Sequence, residues 1–202
     1  MTRETKFRWI IKPAVFIACM GPLAWVIWRA VSGDIGANPV ETVNRFLGDW
    51  ALRFLLLALA VTPLVHLMKT PTLMRFRRML GLFAFFYAFL HIANYVIADQ
   101  SFNWADIWVD IIKRKFITVG MATFLILTPL ALTSTKGMIK RLGGKRWRKL
   151  HRIVYLAGIG AVLHYAMMVK ADLLQPLVYA TILFVLLGDR VRRRLSSSSS
   201  AG

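Results

Sequence analysis

The sequence predicts an all-α integral membrane protein of six transmembrane helices, the middle four forming a central bundle. Three observations predict it: six apolar runs of near-spanning length, a low share of charge, and a basic excess confined to one face. Of 202 residues, 57% are hydrophobic and 18% charged, against roughly a quarter charged in soluble domains. The 27 Lys and Arg against 9 Asp and Glu give a net charge of +18, which alone would suggest nucleic-acid binding. Apolar runs of around 20 residues argue against that class and against disorder. The single cysteine, Cys19, rules out an internal disulfide framework and any Cys-based zinc or iron–sulfur site.

The runs are Ile10–Val31, Trp50–Met68, Met79–Ala98, Phe116–Thr135, Leu150–Val169 and Leu173–Gly188. The first tolerates Lys12 near one end; it is too long for a signal-peptide core, and no Ala-x-Ala site follows it. The second has Arg53 near its start, where a long side chain can snorkel to the interface. The third and fourth meet the spanning requirement cleanly. The fifth contains Gly158 and Gly160, which could permit a distortion, and the sixth is short. Residues 1–190 therefore read as one transmembrane domain, and residues 191–202, basic and then Ser-rich, as a disordered tail.

Six spans place both termini on one side. The N-terminus, the loops after spans two and four, and the C-tail hold 20 basic and 2 acidic residues. The other three loops and adjoining helix ends hold 7 of each. The positive-inside rule then makes both termini cytoplasmic. Topology is a sufficient account of the charge, and no nucleic-acid partner is expected. Trp9, Trp25, Trp28, Trp50, Trp104, Trp108 and Trp147 fall near predicted helix ends, as in an aromatic belt. Phe102–Ile112 reads as an interfacial amphipathic turn on the outer face.

The middle four helices carry an internal echo. Thr62-Pro63-Leu64 and Thr128-Pro129-Leu130 end spans two and four, and each leads through a basic loop to a Leu-His-x-Ala, at Leu90–Ala93 and Leu163–Ala166. Two pseudo-symmetric hairpins are one reading and chance is the other. Buried ionisable residues are costly in a bilayer and point to function. His91 and His164 lie on helices running the same way, at depths differing by about 3 Å at 1.5 Å per residue. Two imidazoles at one depth suit bis-histidine ligation of a b-type haem, the bundle supplying an apolar slot. Ala88 and Ala84 precede His91, and Ala161, Gly160 and Ala157 precede His164, leaving room for a porphyrin. Ordinary small-residue helix contacts are the alternative for these positions, and isolated hydrogen-bonded histidines for the pair. Zinc lacks further ligands at matching depth. His151 lies roughly 19.5 Å before His164 along its helix, at the depth of His66. A second haem between them is conceivable; for His66 an interfacial histidine is preferred, and for His151 both readings stand.

Arg77-Arg78-Met79-Leu80-Gly81, Leu90-His91, the loop Gly143–Arg152 with His151, and Leu163-His164-Tyr165 together resemble the ferric-reductase-like transmembrane family. Gly36–Val40 and Leu132–Thr135 add to the likeness, which covers the chain up to its Ser-rich tail. More closely, the sequence is similar to haem-binding membrane subunits of periplasmic protein-methionine-sulfoxide reductase systems. The resemblance implies a b-type cytochrome of the bacterial inner (cytoplasmic) membrane drawing electrons from the quinone pool, with FMN also implicated. The implied partner, in a heterodimer, is a periplasmic molybdopterin enzyme of the MsrP type that reduces methionine sulfoxide. His91, His151 and His164 match the family's haem-associated positions. Arg77 and Arg78 stand where a fourth histidine would precede His91, so one haem is expected and a regular second haem is in doubt.

The resulting expectation is an electron conduit with no substrate chemistry of its own. The basic loop Lys145–Arg152 suits haem propionates or a flavin phosphate, with the positive-inside signal as the alternative for most of its residues. No G-x-G-x-x-G occurs, so a separate electron donor is required. A stand-alone metal reductase using the same haem and a haem-free transporter with a histidine proton path are the competing functions.

Overall fold

The computed structural model describes residues 2–169 and 173–199. It has six helices long and apolar enough to cross a membrane, and no strand occurs among the described residues. The spanning helices are α1 (Glu4–Val31), α2 (Pro39–Met68), α3 (Pro71–Asp99), α5 (Lys115–Leu132), α7 (Gly144–Met168) and α8 (Leu174–Ser199). Two short helices, α4 (Trp104–Lys113) and α6 (Lys136–Leu142), bridge α3 to α5 and α5 to α7. The hairpins α2/α3 and α5/α7 pack tightly within themselves, and α3–α5 and α2–α7 contacts close them into the expected four-helix bundle. Helix α1 flanks α2 and α3, and α8 flanks α7 and α2.

Helix α2 begins well before the apolar run that announced it. Asn38 caps it by accepting the Glu41 N–H and donating to the Glu41 carboxylate. Pro39 occupies the first helical position, where its missing N–H costs nothing, and Glu41 pairs with Arg45 one turn on. These polar turns hide the helix from a hydropathy reading. The early start also moves two residues expected at the interface into the bundle. Trp50 packs in tilted contacts between Phe46 and Phe54 instead of joining the aromatic belt. Arg53, expected to snorkel, donates to the Tyr179 hydroxyl of α8 and pairs with Asp49.

Other differences have equally local causes. Trp147 leaves the belt because its indole N–H donates to the Thr133 carbonyl. Trp9, Trp25, Trp28, Trp104 and Trp108 do lie exposed on the outside of the bundle. Gly158 and Gly160 sit in unbroken α-helix, close against Leu59 and Leu183 and against Thr123, so their role is close packing; the irregular turn falls earlier, at His151–Ile153. Gly143, at φ +73°, makes the bend between α6 and α7 in a region that disfavours a side chain. The amphipathic segment is a helix, α4, with Ile107 buried and Trp104, Trp108 and Ile112 outward. The expected disordered tail continues as helix through Ser199, with Asp189 pairing with Arg192 and Arg193 at its start. Residues 200–202 lie outside the described residues.

Helix α1 is locked by one buried hydroxyl. Pro22 interrupts its ladder. Tyr87 of α3, with no exposed surface, accepts from the Leu23 N–H at 3.1 Å and donates to the Cys19 carbonyl at 2.9 Å. An uninterrupted helix would pair those two groups with each other. Tyr87→Phe leaves both without the bridge, and thermal unfolding in detergent is expected to register a loss of about 1–3 kcal/mol.

Candidate functional site

His91 and His164 are each held in the same way by the partner helix of their own hairpin. His91 Nδ1 lies 2.8 Å from the Asn44 carbonyl of α2, and His164 Nδ1 lies 2.7 Å from the Phe116 carbonyl of α5. A carbonyl only accepts, so Nδ1 carries the proton in both rings and Nε2 keeps its lone pair. Those carbonyls belong to helices whose surface one turn further on is bare. A Cβ on Gly48 would stand 3.2 Å from the His91 ring, and one on Gly120 would stand 2.8 Å from the His164 ring. Absence of a side chain at those two positions is what lets an imidazole lie against the helix backbone and reach its oxygen.

The two rings lie together, with centroids 6.2 Å apart and planes at 76°. For a metal–nitrogen bond of about 2 Å and a ring radius of about 1.1 Å, imidazoles facing across one metal have centroids roughly 6 Å apart. Both rings line a cavity of about 780 Å³ at the end of the bundle opposite the termini, within the range of cofactor pockets. Its walls include Ala88 and Ala161, one turn before each histidine, and Leu52, Leu55 and Leu127. Arg45 and Arg114 stand among its polar lining, paired with Glu41 and Asp110. Among the described residues no group of three or more His, Cys, Asp or Glu gathers as a metal-ligand set, so the pair has no third protein ligand beside it.

The other expectations separate here. Of the small residues preceding the histidines, Ala88 and Ala161 face the cavity, whereas Ala84 and Ala157 are buried in the packed core. His151 is not with the pair. It lines a second cavity of about 510 Å³ at the end that holds the termini. Its Nδ1 lies 3.1 Å from the Trp147 carbonyl, its Nε2 3.2 Å from the Leu130 carbonyl, and its ring stacks on Trp147. His66 is exposed at the end of α2 and lines neither cavity, as an interfacial histidine would. The basic loop also parts from the histidine pair: Arg148 and Arg152 line the second cavity, not the first.

Asn44, Gly48, Phe116 and Gly120 escaped the sequence reading. Their signal was a glycine in each hairpin at nearly the same separation from its histidine, a better repeat than Thr-Pro-Leu, whose two copies sit at unequal distances.

Residues 47–174 match the family described as ferric reductase like transmembrane component. Almost the whole chain is similar to proteins named protein-methionine-sulfoxide reductase heme-binding subunit MsrQ. The protein from Rhodospirillum rubrum is 57% identical over 187 residues, spanning 91% of this chain and 90% of its own length. That from Caulobacter vibrioides is 48% identical over 188 residues, spanning 92% and 90%. That from Polaromonas naphthalenivorans is 47% identical over 209 residues, spanning 96% and 95%.

The two glycines are not equivalent, and the difference is measurable. Alanine in place of a helical glycine gains about 1 kcal/mol of propensity, while overpacking costs about 1–3 kcal/mol. At Gly120 the clash wins, so Gly120→Ala is expected to lower the unfolding temperature. At Gly48 the longer 3.2 Å approach lets the ring yield, and Gly48→Ala is expected to stay within about 1 kcal/mol of the parent.

Proposed function

This chain belongs to the MsrQ branch of the ferric reductase like transmembrane family, and we propose that it is a b-type cytochrome of the bacterial inner membrane. In this reading both termini are cytoplasmic, following the basic excess on their side. Electrons come from the quinone pool, with FMN as an intermediary, and pass to a periplasmic molybdopterin methionine sulfoxide reductase of the MsrP type in a heterodimer. The observation that carries the proposal is the pair of imidazoles 6.2 Å apart in one cavity, each with Nδ1 tied to a carbonyl and Nε2 left for a ligand.

His91 and His164 would hold the haem iron, one from each hairpin. Bound there, the haem supplies a one-electron couple whose potential is set by its axial ligands and burial. The rest is the work of the chain. The Asn44 and Phe116 carbonyls fix the tautomer and raise the basicity of each ligand nitrogen. Ala88 and Ala161 leave space for a flat macrocycle, and Leu52, Leu55 and Leu127 keep its surroundings apolar. Arg45 and Arg114 would meet its carboxylates. The cavity lies at the end away from the termini, which on the proposed orientation is the periplasmic side, where a partner can receive electrons. His151 is left out of this haem because it lines the other cavity, away from the pair.

The reduced-minus-oxidised optical spectrum of the purified chain tests the proposal. The parent is expected to contain haem, and His91→Ala and His164→Ala to retain about a tenth or less. His66→Ala and His151→Ala are expected to keep the parent's content. Full haem in either of the first two variants refutes the ligand pair, and a parent without haem absorbance favours the transporter reading.

A further inference from the structure

One acid stands in the wall of the histidine cavity rather than at its mouth. Among the described residues, three carboxylates line that cavity; Glu41 and Asp99 are exposed, whereas Asp49 is half-buried. Asp49 follows Gly48, the residue against which the His91 ring lies, so it stands at the level of the pair. Its partner is Arg53, one turn on, with Nη2 3.5 Å from Asp49 Oδ2. The other two arginine pairs of the lining are closer: Arg45 reaches Glu41 at 2.9 Å and Arg114 reaches Asp110 at 3.0 Å.

The looseness has a cause on the far side of α2. Arg53 Nε donates to the Tyr179 hydroxyl of α8 at 3.0 Å, and its guanidinium lies over the Trp50 ring at 5.0 Å. Tyr179 is itself set edge-on against Tyr165, the neighbour of His164. The cation is drawn towards α8 and does not line the cavity, while the anion does. A pair split in this way presents its negative end to the cavity. Such a pair inside a spanning helix is costly to desolvate and a weak source of stability, and an ionisable group there points to function.

We infer that Asp49 lowers the reduction potential of a haem held by His91 and His164, with Arg53 and Tyr179 as positioning residues that leave the carboxylate only partly neutralised. The inference rests on the haem reading and adds to it a residue that is no ligand. Two neutral imidazoles leave the oxidised iron–porphyrin core with one positive charge and the reduced core with none. One electron enters on reduction and no bond forms or breaks. A fixed anion in the wall therefore favours the oxidised form by Coulomb attraction, weakly screened beside Leu52 and Leu55. The reduced form becomes the stronger donor to whatever receives its electron.

Midpoint potentials from spectroelectrochemical titration of the purified full chain, in mildly alkaline buffer so that carboxylates are ionised, provide the test. Asp49→Asn is expected to raise the midpoint by about 30–60 mV, roughly a threefold to tenfold shift of the one-electron equilibrium, with the parent's haem content and spectrum. Asp49→Glu keeps the charge and is expected to stay within about a twofold shift of the parent. Asp106→Asn removes an exposed carboxylate of α4 outside the cavity, and water screening is expected to leave its midpoint at the parent's value. Tyr179→Phe frees Arg53 to close on Asp49, so its midpoint is expected to rise in the same direction by a smaller amount. An unchanged or lowered midpoint in Asp49→Asn overturns the inference, as does an equal rise in Asp106→Asn. If Asp49→Asn fails to hold haem, an unchanged or lowered midpoint in Tyr179→Phe overturns it instead. Haem-loaded variants at the parent's potential refute this inference alone, whereas a parent without haem refutes the haem reading and this inference with it.

Discussion

The architecture depends on a main-chain oxygen reached through a gap in a helix surface. An imidazole can present one nitrogen to a ligand in a fixed direction only if its other nitrogen is tied. In a bilayer the tie must come from protein, because no water is at hand. Each hairpin supplies it identically: a carbonyl on one helix, a glycine one turn later, and a histidine on the next helix lying across the gap. The close approach this needs is why α2/α3 and α5/α7 are the tightly packed pairs. It also explains why α2 must run well beyond its apolar stretch, since Asn44 and Gly48 lie in the polar turns the stretch leaves out.

Around these two clasps the remaining helices act as supports. Tyr87, one turn before His91 on α3, reaches α1 and bridges the turn broken by Pro22, so the helix that positions one histidine is braced from the far side. Phe54 and Phe83 pack on it within the same core. On the other flank, Arg53 and Tyr179 tie α2 to α8, and Leu183 closes against Gly158 of α7. The cavity between the histidines is thus walled by elements whose positions are fixed independently of any ligand, the condition for a preorganised site.

Apolar periodicity and charge count were enough to read six helices and the central four-helix bundle, because bilayer thickness sets helix length and because charge is excluded from the middle of each span. Depth counting brought His91 and His164 together, since two helices running the same way share one scale. Where the reading erred, a specific contact was responsible. The start of α2 is set by the Asn38 cap, which hydropathy does not register. Trp50 and Trp147 belong to packing and hydrogen bonding inside the bundle, although their composition matches an interface. The glycines at 48 and 120 repeat at nearly the same separation from their histidines, but their meaning lies in what approaches them from another helix. The Asp189 pairs to Arg192 and Arg193 support the first turn beyond the apolar run through side chains that a compositional view treats only as charge.

The two ends of the bundle solve opposite electrostatic problems. Toward the end away from the termini, two imidazoles sit against Ala88, Ala161, Leu52, Leu55 and Leu127, and their Nδ1 protons are already satisfied by carbonyls. Their burial costs far less than burying a charge. That lets the imidazoles be buried without a compensating ion, while the arginines of the same lining, Arg45 and Arg114, are paired with Glu41 and Asp110. At the other end the chain gathers guanidiniums around a hollow, which is tolerable only near the surface, where water and headgroups screen them. Neutral ligands can be deep and charged ones must be shallow. The gathering of arginines at the end near the termini, and of the buried histidine pair toward the other, follows from that difference in desolvation cost.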